Sequence, residues 1–316
     1  MRYVVTGGAG FIGSHLVEHL VQDDHEVVVV DNFSTGKRAN LAPWLDRITL
    51  IDGSITDPAV CARACRGADY VLHQAALASV PRSVKDPVAT NDANVTGTLN
   101  VLVAARDAGV RRVVYAASSS AYGNTAELPK HEGMVPKPLS PYAVSKLAGE
   151  QYLRAFHATY GLETIALRYF NIFGPRQDPS SQYAAAVPKF IASALAGTPQ
   201  IIFGDGEQTR DFTYVANAVR ANLLACTAPA EACGETYNVG CGTRITVNEL
   251  WSRITRLTGS SARAVHEPAR AGDVRDSLAS LERSRAMLGY EPVVDLEEGL
   301  QRTVGSVTGA AGARTA

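Results

Sequence analysis

Residues 6–13 read Thr6-Gly7-Gly8-Ala9-Gly10-Phe11-Ile12-Gly13, directly after the β-branched run Tyr3–Thr6 and directly before a helical pattern over His15–Val21. Glycines at this spacing on a strand-to-helix turn have separate uses. Gly7 permits the tight turn, Gly10 lets the backbone approach a pyrophosphate, and Gly13 lets the helix pack close to the sheet. The helix N-terminus, with its free N–H groups and its dipole, then favours the phosphates. The loop is not of the Walker type, because no Gly-Lys-Ser/Thr follows it. Asp31 ends the next apolar run, Val27–Asp31. A carboxylate there suits the ribose hydroxyls of a dinucleotide and repels a 2′-phosphate, which selects NAD. Lys37 and Arg38 follow closely and leave NADP open.

Outward from this loop the rhythm persists. Ile48–Asp52, Tyr70–His73, Arg112–Ala116 and Glu163–Arg168 look like strands buried on both faces, with helical spacing over Pro58–Ala64 and Asn94–Ala108 between them. Strands alternating with helices imply right-handed βαβ units and a parallel sheet. The expected fold is therefore α/β, a Rossmann-type doubly wound sheet over residues 1–170. After Asn171 prolines, glycines and short strands (Gln200–Phe203, Thr236–Val239) mix with helices such as Tyr183–Leu195 and Ala216–Cys226. Thr246 and Glu249 form a capping-box pattern before the helix carrying Trp251. We expect a smaller mixed α/β lobe for the substrate over 171–212 and 241–305. Residues 213–240 return to the first domain, and a disordered small-residue tail covers 306–316.

Composition narrows the function classes. The 316 residues are 46% hydrophobic and 19% charged, with 30 basic against 31 acidic side chains. No broad field exists to hold nucleic acid or anionic lipid. No apolar stretch is long enough for a bilayer, and no secretory signal precedes the first strand, so the expectation is a cytoplasmic protein without membrane or nucleic-acid partners. Cys61 and Cys65 lie one helical turn apart, but no second pair follows at zinc spacing. No metal site is expected.

Ser140-Pro141-Tyr142-Ala143-Val144-Ser145-Lys146 opens a further long helix, with Ser140 as cap and Pro141 in the first turn. Tyr142 and Lys146 share one helical face. An ammonium beside the phenol is expected to lower its pKa and make Tyr142 a base. Ser118-Ser119-Ser120-Ala121-Tyr122-Gly123 follows the fifth strand, at the carboxyl edge where such sheets place ligands. A hydroxyl there can bond a reacting oxygen and share its proton with Tyr142.

With these residues in hand, the chain resembles the extended short-chain dehydrogenase/reductase family, in its nucleotide-sugar epimerase branch. The likeness runs from Arg2 to about Val304 and includes His73-Gln74-Ala75-Ala76, Asn94, Leu167-Arg168-Tyr169-Phe170-Asn171, Arg210-Asp211-Phe212 and Arg270-Ala271-Gly272-Asp273. Ala78–Ser83 and Lys137–Tyr142 resemble UDP-N-acetylglucosamine 4-epimerases in particular. The resemblance implies catalysis by Ser118, Tyr142 and Lys146. It implies cofactor contacts from Gly7, Gly10, Phe11, Ile12, Gly13, Asp31, Asn32, Ser54, Ile55, Gln74, Ala75, Ala76, Asn94, Tyr142 and Lys146. It implies sugar and diphosphate contacts from Ser118, Ser120, Tyr142, Asn171, Arg210, Arg270 and Ser277. Family members often carry Asp where Ser54 stands, so the adenine contact falls to Ser54 or Asp52. Dehydratases and decarboxylases of the branch keep carboxylates after the catalytic hydroxyl, where this chain has Ser119 and Ser120. The implied reaction is therefore 4-epimerisation of a UDP-sugar, with UDP-glucuronate epimerisation and dehydratase or reductase chemistry as the alternatives. A small Ser277, where some members have Tyr, implies room for an N-acetyl group. The resemblance also implies a homodimer through helices around Asn94–Ala108 and Tyr142–His157.

Overall fold

Valines 27–30 are all buried, on alternating faces of one strand. Only a strand covered on both sides accommodates that pattern, and each such side chain contributes roughly 1.5–3 kcal/mol relative to exposure. The structure, a computed structural model, describes residues 1–179, 185–269 and 274–312. The first half reads β1 (Arg2–Thr6), α1 (Phe11–Gln22), β2 (Glu26–Asp31), β3 (Ile48–Asp52), α2 (Pro58–Cys65), β4 (Tyr70–His73), α3 (Val80–Lys85), α4 (Pro87–Asn91), α5 (Gly97–Asp107), β5 (Arg112–Ser118), α6 (Pro141–Tyr160) and β6 (Glu163–Tyr169). The second half reads β7 (Ile172–Phe173), α7 (Ala186–Ala196), β8 (Gln200–Phe203), β9 (Thr209–Arg210), β10 (Thr213–Tyr214), α8 (Val215–Thr227), β11 (Glu235–Val239), β12 (Ile245–Thr246), α9 (Val247–Thr258), β13 (Ala264–Glu267), α10 (Glu282–Leu288) and α11 (Leu296–Gly312).

Seven strands form one parallel sheet in the order β11-β6-β5-β4-β1-β2-β3. The expected doubly wound α/β fold is thus what the chain adopts. Strand order reverses between β1 and β4, and a crevice opens above the carboxyl ends there. One face is packed by α1 and α8 through residues such as Leu16, Leu20, Ala221 and Cys226. The other is packed by α2, α5 and α6 through Cys61, Leu102, Ala105, Leu153 and Phe156. The cysteines of the Cys61/Cys65 pair are both buried, with thiols pushed up to about 12, and serve as packing.

A separate core joins Phe173, Phe190, Ile191, Trp251, Ile254, Leu300 and Val304. It binds α7, α9 and α11 into the lobe that overhangs the carboxyl edge. Two expectations need correction here. The helix expected over 183–195 begins at Ala186, Tyr183 lying outside the described residues. The tail expected to be disordered from 306 continues α11 as far as Gly312. Leu300 and Val304, one turn apart, are buried in the lobe core and anchor that helix, and the Thr308 hydroxyl donates back to the Val304 carbonyl at 3.2 Å. Residues 313–316 lie outside the described residues.

Candidate active site

Several helices here carry a side-chain cap: Asp57, Ser79, Asp86, Ser140 and Thr246 each accept an N–H of the first turn. Helix α1 starts at Gly10 without one. Its first N–H groups are left for an anion from outside the chain. Two of the glycines around this start tolerate nothing larger. A Cβ on Gly13 would lie 2.1 Å from the Gly7 carbonyl oxygen, and one on Gly7, where φ is +68°, would lie 2.7 Å from the Ala75 nitrogen. Asp31 closes the loop. Its carboxylate accepts from Ala9 N at 2.9 Å and Phe33 N at 2.8 Å, and burial raises its pKa.

A cavity of about 780 Å³ runs from this loop across the strand-order reversal. Gly7, Gly10, Phe11, Ile12, Gly13, Asp31, Asn32, Ser54, Ile55, Gln74, Ala75, Ala76, Tyr142 and Lys146 all line it. Between the two candidates for the adenine end, Ser54 faces the cavity, whereas Asp52 pairs with Arg38 outside it. Asn94 differs from its expected position. It is buried behind the wall, its carbonyl accepting from Leu77 N at 2.8 Å and its amide donating to Ser145 Oγ at 3.0 Å. It sits in the π-helical turn Asp92–Thr96 and is tied to Leu77, which lines the cavity.

At the end of β5, Ser118 caps a tight turn, and the Ser120 hydroxyl donates to Ser118 Oγ at 2.8 Å. Helix α6, capped by Ser140, brings Tyr142 toward it, and the Ser118 hydroxyl pulls the phenol's pKa down against the effect of burial. Lys146 lies one turn on, fully buried. Its ammonium donates to the Ala116 carbonyl at 2.8 Å and sits 4.8 Å from the Tyr115 ring centre. Burial drives Lys146 down to about 7, partly offset by Glu150. Burial raises the phenol, Ser118 alone pulls it back, and the ammonium is directed to Ala116 and Tyr115.

The expected sugar-side residues form a second group. Asn171, at φ +38°, donates to the Asp211 carbonyl at 3.1 Å and to Ser277 Oγ at 3.3 Å. Ser277 is buried. Arg210 folds its guanidinium onto the carbonyls of Thr209 and Arg275, at 2.8 and 3.0 Å. Arg270 lies outside the described residues. The sequence reading missed Arg176, Gln177 and Asp178, which line the cavity from the far side, and treated Lys37 only as a hint of NADP, whereas it pairs with Asp178 at 3.0 Å. Nothing in the local spacing of Pro175–Asp178 announces this approach. Among the described residues no cluster of His, Cys, Asp or Glu could hold a metal ion, and no helix is long and apolar enough to cross a membrane.

Residues 3–240 match the family described as the NAD dependent epimerase/dehydratase family. The chain belongs to this family. A UDP-glucose 4-epimerase of Mycolicibacterium smegmatis is 40% identical over 308 residues, covering 96% of this chain and 97% of that one. The solved UDP-N-acetylglucosamine 4-epimerase of Methanobrevibacter ruminantium, in complex with UDP-N-acetylmuramic acid, superposes with a TM-score of 0.93 at 40% identity, covering 98% of each chain. A UDP-N-acetyl-alpha-D-glucosaminuronate decarboxylase of Bacillus cytotoxicus is 34% identical over 314 residues, covering 96% of each. The cofactor of this NAD dependent epimerase/dehydratase family member is NAD, and the cradle fits it. The glycine turn, the uncapped α1 and the Asp31 carboxylate stand in the order of a diphosphate and its adenosine ribose.

Proposed function

We propose that this chain is a 4-epimerase of UDP-hexoses that interconverts UDP-N-acetylglucosamine and UDP-N-acetylgalactosamine and also accepts the glucose/galactose pair. The observation that carries the reading is Tyr142 and Lys146 on the wall of the dinucleotide cavity, with Ser118 at the adjoining end of β5 and hydroxyls rather than carboxylates at Ser119 and Ser120. NAD supplies the hydride acceptor and later returns the hydride. The chain's own residues do the rest. Ser118 bonds the sugar O4, Tyr142 takes its proton as C4 is oxidised, and Lys146 holds positive charge behind the phenol. The 4-keto sugar then turns about its diphosphate link and is reduced on its other face, Tyr142 giving the proton back.

Elimination of water or loss of carbon dioxide would need further acid–base groups at the ring, and hydroxyls do not supply them. The N-acetyl preference is supported by the small size of Ser277, which is held beside Asn171. Asn171 and Arg210 are read as diphosphate ligands, a role that suits a forked guanidinium. Two copies would associate through α5 and α6, the helices around Asn94–Ala108 and Tyr142–His157, and the exposed Val144 on α6 supports this.

The test is to incubate purified enzyme with UDP-N-acetylglucosamine, UDP-glucose and UDP-glucuronate separately and to resolve the products by chromatography. Conversion of the first two to their 4-epimers is the expected result. Turnover of UDP-glucose with none of UDP-N-acetylglucosamine would remove the N-acetyl reading, and carbon dioxide release from UDP-glucuronate would remove the epimerase reading.

A further inference from the structure

Two polar atoms buried in the wall of the dinucleotide cavity have no partner, Nη1 of Arg176 and Oε1 of Gln177. Both belong to the segment that follows β7, which starts on the sugar side at Asn171 and then crosses the first turns of α1. Three contacts hold it there. His15 Nε2 donates to the Pro175 carbonyl at 3.0 Å, Arg176 pairs with Glu18 through Nη2, and Asp178 pairs with Lys37. Arg176 also takes φ +68°, a region that residues other than glycine occupy only where the surroundings fix them.

We propose that Arg176 and Gln177 form a second half of the NAD site, with the guanidinium bonding the dinucleotide diphosphate and the Gln177 oxygen accepting from a ribose hydroxyl. The inference rests on NAD occupying this cavity. Phe11 and Ile12, at the uncapped start of α1, line the same cavity and offer N–H groups from one side. A diphosphate has oxygens to spare for a donor on the opposite side, and a fork donor matches their geometry. One unmatched donor next to one unmatched acceptor fits phosphate oxygens flanked by sugar hydroxyls, whereas an apolar ligand would leave both atoms unpaired. Glu18 occupies Nη2 and so leaves Nη1 for the ligand. The Lys37–Asp178 pair is half-exposed and pins the segment without adding much affinity of its own. Such a strap keeps the dinucleotide in place between turnovers, which suits a reaction that regenerates it each cycle.

The diphosphate of a nucleotide sugar offers the same chemistry, so the test must separate the two ligands. NAD release from the loaded enzyme is followed by fluorescence for wild type, Arg176→Met, Arg176→Lys and Glu18→Gln, and UDP affinity is measured by calorimetry on the same preparations. Arg176→Met should release NAD about tenfold faster or more, as expected for loss of one charge-assisted hydrogen bond, with Arg176→Lys in between. UDP affinity should stay within about twofold, and Glu18→Gln, which keeps an acceptor for Nη2, should change release by less than about threefold. If Arg176→Met does not fold, as judged by the thermal midpoint of the NAD-free protein, Arg176→Lys carries the comparison. Equal release rates for wild type and the Arg176 variants would overturn the proposal, as would a fall in UDP affinity with NAD retention unchanged. A wild-type protein that neither carries NAD nor takes it up would overturn the cofactor reading along with it.

Discussion

Tyr142 illustrates how two residue-scale effects compete in one site. Burial raises its phenol, and the Ser118 hydroxyl acts the other way. In the NAD-free protein the residue should therefore remain neutral through the neutral range, which an ultraviolet difference titration against Tyr142→Phe measures. A tyrosinate signal at or below pH 8 would contradict this. In the loaded enzyme Tyr142→Phe should lower kcat by about 10²–10⁴-fold, the usual contribution of a positioned acid–base group, with little change in bound NAD. At Ser277 the argument is steric. Ser277→Tyr should cut turnover of UDP-N-acetylglucosamine at least tenfold more than that of UDP-glucose, because overfilling a packed pocket costs about 1–3 kcal/mol. Equal losses on both substrates would count against this residue as the discriminator. These groups were legible in the sequence because their evidence is local: four residues separate Tyr142 from Lys146, and a strand end delivers Ser118. Arg176 was not legible, since its meaning arises only when a segment from beyond β7 meets the first turns of α1. The burial of Asn94 in a π-helical turn was likewise not legible, since its partners Leu77 and Ser145 are distant in sequence.

At the scale of elements, the glycine loop carries the strongest constraint. Gly13→Ala keeps helix propensity but puts a methyl 2.1 Å from the Gly7 carbonyl oxygen and 2.8 Å from Gly8 Cα, both backbone atoms. The start of α1 must shift, and the N–H groups meant for phosphate move with it. The expected result is loss of copurifying NAD and a stability loss of about 1–3 kcal/mol, as for overpacking elsewhere, read from absorbance and urea denaturation. An NAD-replete Gly13→Ala protein of unchanged midpoint would mean that the loop is looser than its geometry. The strands of the large sheet could be read from sequence because burial on both faces leaves an unbroken apolar run. The pairs β7–β10 and β9–β12 have two residues per strand, too few for any periodicity to register. The capping box is half formed: Thr246 Oγ1 accepts from Glu249 N at 3.0 Å, but the Glu249 carboxylate turns to Arg253. The helical end of α11 was missed because its small residues carry little signal, while the anchoring side chains Leu300 and Val304 lie just upstream.

In the whole molecule, α8 is the member shared by the sheet and the lobe, and two buried asparagines do the joining. Asn222 donates to the Tyr169 hydroxyl at 2.6 Å and accepts from Gln74 at 3.0 Å, both residues of the cofactor cavity. One and a half turns earlier, Asn217 donates to the Val294 carbonyl at 2.7 Å and accepts from Val293 N and Val294 N at 2.8 and 3.1 Å. An amide that satisfies one carbonyl and two N–H groups stands in for a strand partner and holds the chain entering α11 against the helix that packs on the sheet. Asn217→Ala removes all three bonds and leaves three backbone groups buried without partners, at about 1–3 kcal/mol each before water or relaxation recovers part of it. A net loss of about 2–4 kcal/mol is expected, together with weaker binding of UDP, because the lobe that carries Asn171 and Ser277 loses its tie to the sheet. Calorimetry with and without added NAD separates the two halves: bound NAD should still raise the midpoint of the variant, since Asn222 and the glycine loop are untouched. A loss below about 0.5 kcal/mol would show that α8 does not join the lobes through this residue.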